Sequence, residues 1–213
     1  DGYLRLYGQT FQLISKQNTV NAKLPQGATF SPDGKMIAVG YSDAQIVDVY
    51  SGDNLTHLFS PNTSGGRGSD FSRLCWSPDS KTLFAGGRHL TRSNNQFQSA
   101  IRSWSVNNRL WYKDIFISNT MNRINYMLSL KDGRIVWASY DPPLGILDPT
   151  SERNIIKDSP IADFSWIADD IHISNDGMVV RFYFERSGKS PGSFSIPERL
   201  LRTGKKDIPS DFL

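Results

Sequence analysis

A chain of 213 residues with 12% aromatic and 21% charged residues has the composition of a folded globular protein, which excludes a largely disordered one. Its formal net charge of +3 is small and the basic residues are scattered, which argues against nucleic acid as a partner. One cysteine, Cys75, excludes an internal disulfide framework, and no apolar run approaches the ~18 residues of a membrane helix.

The opening "DGYLRLYGQTFQLIS" lacks an initiator Met and the basic and apolar regions of a signal peptide, and it reads as strand from about residue 3. The chain is therefore expected to begin inside a folded unit, with "YLRLYG" and "FQLISK" as outer strands of a half unit over 1–24. Next comes "ATFSPDGKMIAVGY" (28–41), and the same pattern returns in "LCWSPDSKTLFAGG" (74–87). Its turn recurs as Asp33-Gly34, Asp79-Ser80, Asp132-Gly133 and Asp176-Gly177, with spacings of 46, 53 and 44 residues. Pro before Asp presets such a turn, and Gly accepts the positive φ that follows. Each turn separates two apolar segments of strand length, as in a hairpin.

The strands after the turns are "MIAVGY", "TLFAGG", "IVWASY" and "VVRFYF". They are nearly continuous apolar runs, which predicts small sheets covered on both faces. Small residues late in them (Gly40, Gly86, Ala138) predict crowding by neighbouring backbone. A third strand follows in each unit ("QIVDVYS", "AIRSWSV", "LGILDP", "SFSIP"), then a fourth ("LTHLFS", "RLWYKDIFIS", "RNIIKD", "RLLRT"). Four strands every 44 to 53 residues predict an all-β propeller. The expected blades span about 25–62, 68–118, 122–158 and 163–204, after the half blade and before a tail at 205–213. No stretch carries a sustained helical period.

Chemistry is sparse. There is no Gly-x-Ser-x-Gly elbow, and Cys75 beside Trp76 reads as a packing thiol. His57, His89 and His172 share no metal-ligand spacing, and His57 reads as structural or solvated. "SGGRGSD" (64–70) precedes a strand rather than a helix, so it reads as a flexible connection and not a phosphate loop. Asp43, His89, Asp141 and Glu185 fall at matching repeat positions, where they would ring a cation in a weaker, alternative reading. The longer loops, 60–70, 88–99, 140–145 and 185–192, all belong to one face of the propeller. Arg67, Arg88, Arg92, Phe97, Tyr140, Arg186 and Lys189 on those loops are the candidate binding residues.

These units resemble WD40 repeats over essentially the whole chain, and "DGYLRLYG" resembles the third strand of one. The departures are specific: no Gly-His precedes a blade, and Tyr7-Gly8, Tyr50-Ser51, Trp104-Ser105 and Ile196-Pro197 replace Trp-Asp. The His–Asp hydrogen-bond network that braces many such blades is therefore expected to be missing. "IAVGYSD" with "VDVYSG", "LFAGGR" and "LGILDP" most resemble bacterial WD-repeat proteins whose blades belong to a longer chain, some beside a caspase-like peptidase domain. The resemblance implies a non-enzymatic scaffold with a protein or peptide partner, no cofactor, no nucleic acid and no membrane. It also implies a cytoplasmic setting and completion by the rest of a longer chain or by a second copy. The alternatives are a propeller enzyme (hydrolase or dehydrogenase) and a periplasmic translocation-type propeller, which shares the Ser-Pro-Asp-Gly-Lys turn.

Overall fold

The computed structural model describes residues 2–93, 95–117, 122–139, 144–159, 172–174, 178–183, 191–195 and 200–203. Strands β1 (Tyr3–Tyr7) and β2 (Leu13–Asn18) form a two-stranded sheet. Strands β3 (Pro25–Phe30), β4 (Met36–Tyr41), β5 (Val47–Ser51) and β6 (His57–Phe59) form a four-stranded meander. The next sheet holds β7 (Arg67–Gly68), β8 (Arg73–Trp76), β9 (Thr82–Gly86), β10 (His89–Ser93), β11 (Gln96–Ser105) and β12 (Asn108–Phe116). Counting the larger sheets in chain order from β3–β6 as the first and β7–β12 as the second, the third is a meander of β13 (Ile124–Ser129), β14 (Ile135–Ser139), β15 (Leu144–Asp148) and β16 (Arg153–Ser159). The last comprises β17 (His172–Ile173), β18 (Val179–Tyr183), β19 (Pro191–Ser195) and β20 (Leu200–Thr203). All pairings are antiparallel, and no helix occurs among the described residues.

The repeated turn has one hydrogen-bond design. Asp33 Oδ1 accepts from the Ser31 hydroxyl at 2.6 Å and the Lys35 amide at 3.1 Å. Asp79 does the same with Ser77 at 2.6 Å and Lys81 at 3.1 Å. Gly34 and Ser80 take up positive φ (73° and 61°), closing each turn. In the third unit Asp132 accepts from the Arg134 amide, although Leu130 stands where the others have serine. In the fourth, Ser174 accepts from the Val179 amide as Ser31 does from Met36, while Asp176-Gly177 lies outside the described residues. These side-chain bonds satisfy turn amides locally, which is why the turn can be read from sequence.

The continuous apolar strands divide their side chains between two interfaces. On β4, Ile37 and Val39 pack with Leu6 of β1, Tyr50 and Leu55, while Ala38 packs the other way with Val49, Phe71, Trp76, Leu83 and Trp104. On β11, Trp104 belongs to that second core, whereas Ile101 joins Cys75, Ile115, Met127 and Trp137 against the third sheet. The β3–β6 and β7–β12 sheets are thus each sandwiched, and β4 and β14 are buried from end to end apart from half-buried Met36. The crowding expected at the small residues is present at Gly40, where a Cβ would run into the Phe71 carbonyl oxygen.

Two readings change. Residues 89–93 and 96–99 are strand rather than loop: β9 continues past Gly87 and Arg88 into β10, which pairs with β11 from Leu90↔Ser99 to Ser93↔Gln96. The glycine-rich 64–70 segment is not a loose connection, because Arg67 and Gly68 pair with Leu90 and His89 as β7. Gly68 permits this close approach, since a Cβ there would collide with the Arg88 carbonyl oxygen at a φ of 154°.

Candidate interaction site

The ribbon β7–β10–β11 projects from the end of the second sheet opposite its Ser77–Lys81 turn, and strand alternation gives it two unlike faces. One face turns inward at His89, which is fully buried. The Gln45 side-chain nitrogen donates to His89 Nδ1 at 2.7 Å, which leaves Nε2–H to donate to Asp114 Oδ1 at 3.1 Å. The imidazole packs on the Phe71 ring with centroids 4.7 Å apart.

Asp114 on β12 is shared with Arg102 on β11, also fully buried. Arg102 Nε and Nη2 donate to the two Asp114 oxygens at 2.7 Å each, and Nη1 donates to the Ser64 carbonyl at 2.6 Å. The guanidinium lies 3.6 Å from the Tyr112 ring centroid. A planar cation with bidentate, stacked geometry gives each of its three nitrogens an acceptor here, which is what burial of a charge requires. The cluster fixes the incoming 62–66 segment and the base of the ribbon to the same sheet. Gln45 reaches it from the preceding sheet.

A His–Asp brace is therefore present, contrary to expectation. It is built from the start of β10 and the outer strand β12 rather than from Gly-His and Trp-Asp positions. A second buried carboxylate, Asp48 on β5, accepts from Tyr41 at 2.7 Å and from Asn21 and Ser60 at 2.6 Å, with His57 at 3.6 Å. That contact assigns His57 a structural place.

Burial would push the Asp114 carboxyl up, but the hydrogen bonds from Arg102 and His89 override it and hold the group at about 2. An unfolded aspartate titrates near ~3.9, so the folded value is the lower one. The associated stabilisation is complete above about pH 4 and is lost as pH falls through about 2. Thermal melts across this range should show Asp114→Asn with a shallower acid decline than the parent. Equal slopes would contradict the assigned ionisation.

The outward face has different chemistry. Arg92 sits directly across from Phe97, and Arg67 pairs with Leu90, two residues before Arg92 on the same side of β10. The Arg67 guanidinium lies 4.5 Å from the Phe97 ring centroid. Arg67, Arg88 and Arg92 are exposed, and Phe97 is half-buried. The structure thus brings Arg67, Arg92 and Phe97 together, with Arg88 at the base of the ribbon. Tyr140, Arg186 and Lys189 lie outside the described residues.

The alternative cation set does not assemble from the residues that are described. Both His89 ring nitrogens are occupied in the interior, and Asp43 accepts the Lys23 and Leu24 amides at 3.0 and 3.2 Å. Asp141 and Glu185 lie outside the described residues. Cys75 is buried, and burial raises its thiol far above the ordinary range, as a packing thiol requires. A crevice of about 430 Å³ lies between the β7–β12 and β13–β16 sheets. Two of its charges are already matched, Lys113 with Glu152 at 2.5 Å and Asp132 with Arg134 at 2.6 Å.

No family model matches the chain, and no curated protein matches it. Solved structures do. The chain superposes on dihydro-heme d1 dehydrogenase NirN in complex with DHE with a TM-score of 0.69 and 15% identity, covering 95% of this chain and 41% of that one. It superposes on the RRP9 WD40 repeats (TM-score 0.63, 14% identity, 95% and 53% covered) and on U3-55K (0.62, 14%, 95% and 54%). The chain therefore spans about half the length of these neighbours or less. At such identities the likeness establishes the fold, a β-propeller, and leaves ligand and activity to the site itself.

Proposed function

We propose that this chain is an interaction scaffold that engages a protein or peptide through the outward face of the β7–β10–β11 ribbon. The observation that carries the reading is the division of labour between the two faces. The inward face carries the fully satisfied His89–Asp114–Arg102 cluster, which pre-organises the ribbon. The outward face displays Arg67, Arg92 and Phe97, residue types that dominate binding energy at interfaces. A rigid ribbon loses little conformational entropy on binding, which favours it over an unstructured loop as a recognition element.

A photo-crosslinking residue at exposed Gln96, at the tip of the ribbon and next to Phe97 in the chain, tests the reading against one at exposed Lys81, at the opposite end of the same sheet. Protein adducts should concentrate at position 96 and disappear when Arg92→Ala and Phe97→Ala are combined. Arg92→Ala, at an exposed side chain, should shift stability by no more than about 0.5 kcal/mol, and Phe97→Ala, at a half-buried one, by about 1 kcal/mol. Equal adduct yields at both positions, or none at either, would reject the assignment.

A further inference from the structure

We infer that the partner segment bound at the ribbon is acidic, with Arg67 and Arg92 taking its carboxylates on either side of Phe97. This inference rests on the ribbon being the binding face. Its own support is an unbalanced charge. No Asp or Glu occurs between Asp79 and Asp114, and none occurs from Ser60 to Ser69, so both segments that build the outward face lack acidic residues. Several other cations have carboxylate partners: Arg102 with Asp114, Arg123 with Asp70, Arg134 with Asp132, Lys113 with Glu152. Among the described residues, no carboxylate pairs with Arg67, Arg88 or Arg92.

The geometry selects the ligand group. The Arg67 guanidinium lies over the Phe97 ring and has no carboxylate partner there, so its N–H fork remains available to a carboxylate, which arginine meets bidentately. Arg92 faces the same ring from the adjacent strand, with a cross-strand Cβ separation of roughly 5 Å. Two cations so placed match carboxylates about one extended dipeptide apart, roughly 7 Å. An acidic peptide in extended form, with carboxylates at alternate positions on one face, fits this surface. A nucleic acid fits it less well. The charge is local rather than a track along a backbone, and Arg67 already covers one face of the aromatic that a base would stack on.

The test uses the full chain and a fluorescein-labelled peptide of alternating glutamate and tyrosine, read by fluorescence anisotropy. Comparison probes are the same peptide with glutamine for glutamate and an oligouridylate of similar length. The glutamate peptide should bind, weaken as salt rises from about 0.05 to about 0.3 M, and lose about tenfold in affinity with Arg67→Gln or Arg92→Gln. Lys81→Gln should change nothing, and the melting temperatures of all three variants should match the parent. Equal binding of the glutamine peptide, tighter binding of oligouridylate, or indifference to both arginine changes would overturn the inference. If the glutamate peptide fails to bind while adducts still form at position 96, the acidic specificity is wrong and the binding face stands. If both fail, the face itself is wrong.

Discussion

Trp104→Ala should be among the most damaging single substitutions in this chain, lowering stability by about 3–5 kcal/mol. The indole is 2% exposed, meets the Phe71 ring edge-on at 5.7 Å, and packs with Val47, Val49 and Leu83 between two sheets. Its Nε1–H donates to the Asn62 carbonyl at 2.7 Å, so truncation opens a cavity and also orphans an acceptor on the inter-sheet segment. For a protein of this size the loss corresponds to a fall of roughly 10 °C in melting temperature. Trp104→Phe should recover much of the packing and little of the hydrogen bond. A melt that leaves Trp104→Ala within a degree or two of the parent would mean that the sheets do not stack as described.

The second large effect concerns Asp114. Asp114→Ala leaves the fully buried Arg102 without its carboxylate and removes the acceptor of His89, and it should cost about 3–5 kcal/mol. Arg102→Met should be comparably damaging, because it leaves Asp114 charged in a nearly closed site and frees the Ser64 carbonyl. Arg102→Met combined with Asp114→Leu should cost clearly less than the two losses added, since no unpaired charge is left behind. Chemical denaturation of the four proteins measures that coupling. Additive losses would show that the pair is not an interacting unit. The expected failure also has a location: the base of the ribbon and the 62–66 segment should loosen before the β4 and β14 cores.

The parts of this fold that sequence reveals are those fixed by local chemistry. The two Ser-Pro-Asp-Gly/Ser-Lys turns satisfy their own amides, and with the Asp-Gly pairs at 132–133 and 176–177 at similar spacing they expose the repeat. Trp104 and Trp76 sit where the strand pattern puts an inter-sheet aromatic, and both are buried. The ribbon was hidden for the opposite reason. "RHLTRSNNQFQS" has polar residues on both of its faces, so alternation gives no strand signal, and its order comes from partners distant in sequence. Gln45 lies 44 residues from His89, and Asp114 lies 25 away.

One signal for that cluster did exist in the sequence. Arg102 precedes Trp104 by two residues and Asp114 follows Tyr112 by two, so each charge shares a face with a buried or stacked aromatic. A cation and a carboxylate on the same inward face of paired strands predict a buried ion pair. His89 could not be added from sequence, because its matching repeat position suggested an exposed loop end. The bend at Gly87 and Arg88 turns it inward instead.

The account depends on residues 89–99 forming an ordered ribbon held by the His89–Asp114–Arg102 cluster, and amide hydrogen exchange measures this directly. In the parent protein, the ladder amides of β10 and β11 should exchange at least about 100-fold more slowly than an unstructured chain. In Asp114→Asn those same amides should speed up while the amides of β4 and β14 stay protected. Exchange of residues 89–99 at unstructured rates in the parent, or protection unaltered by Asp114→Asn, would contradict the account.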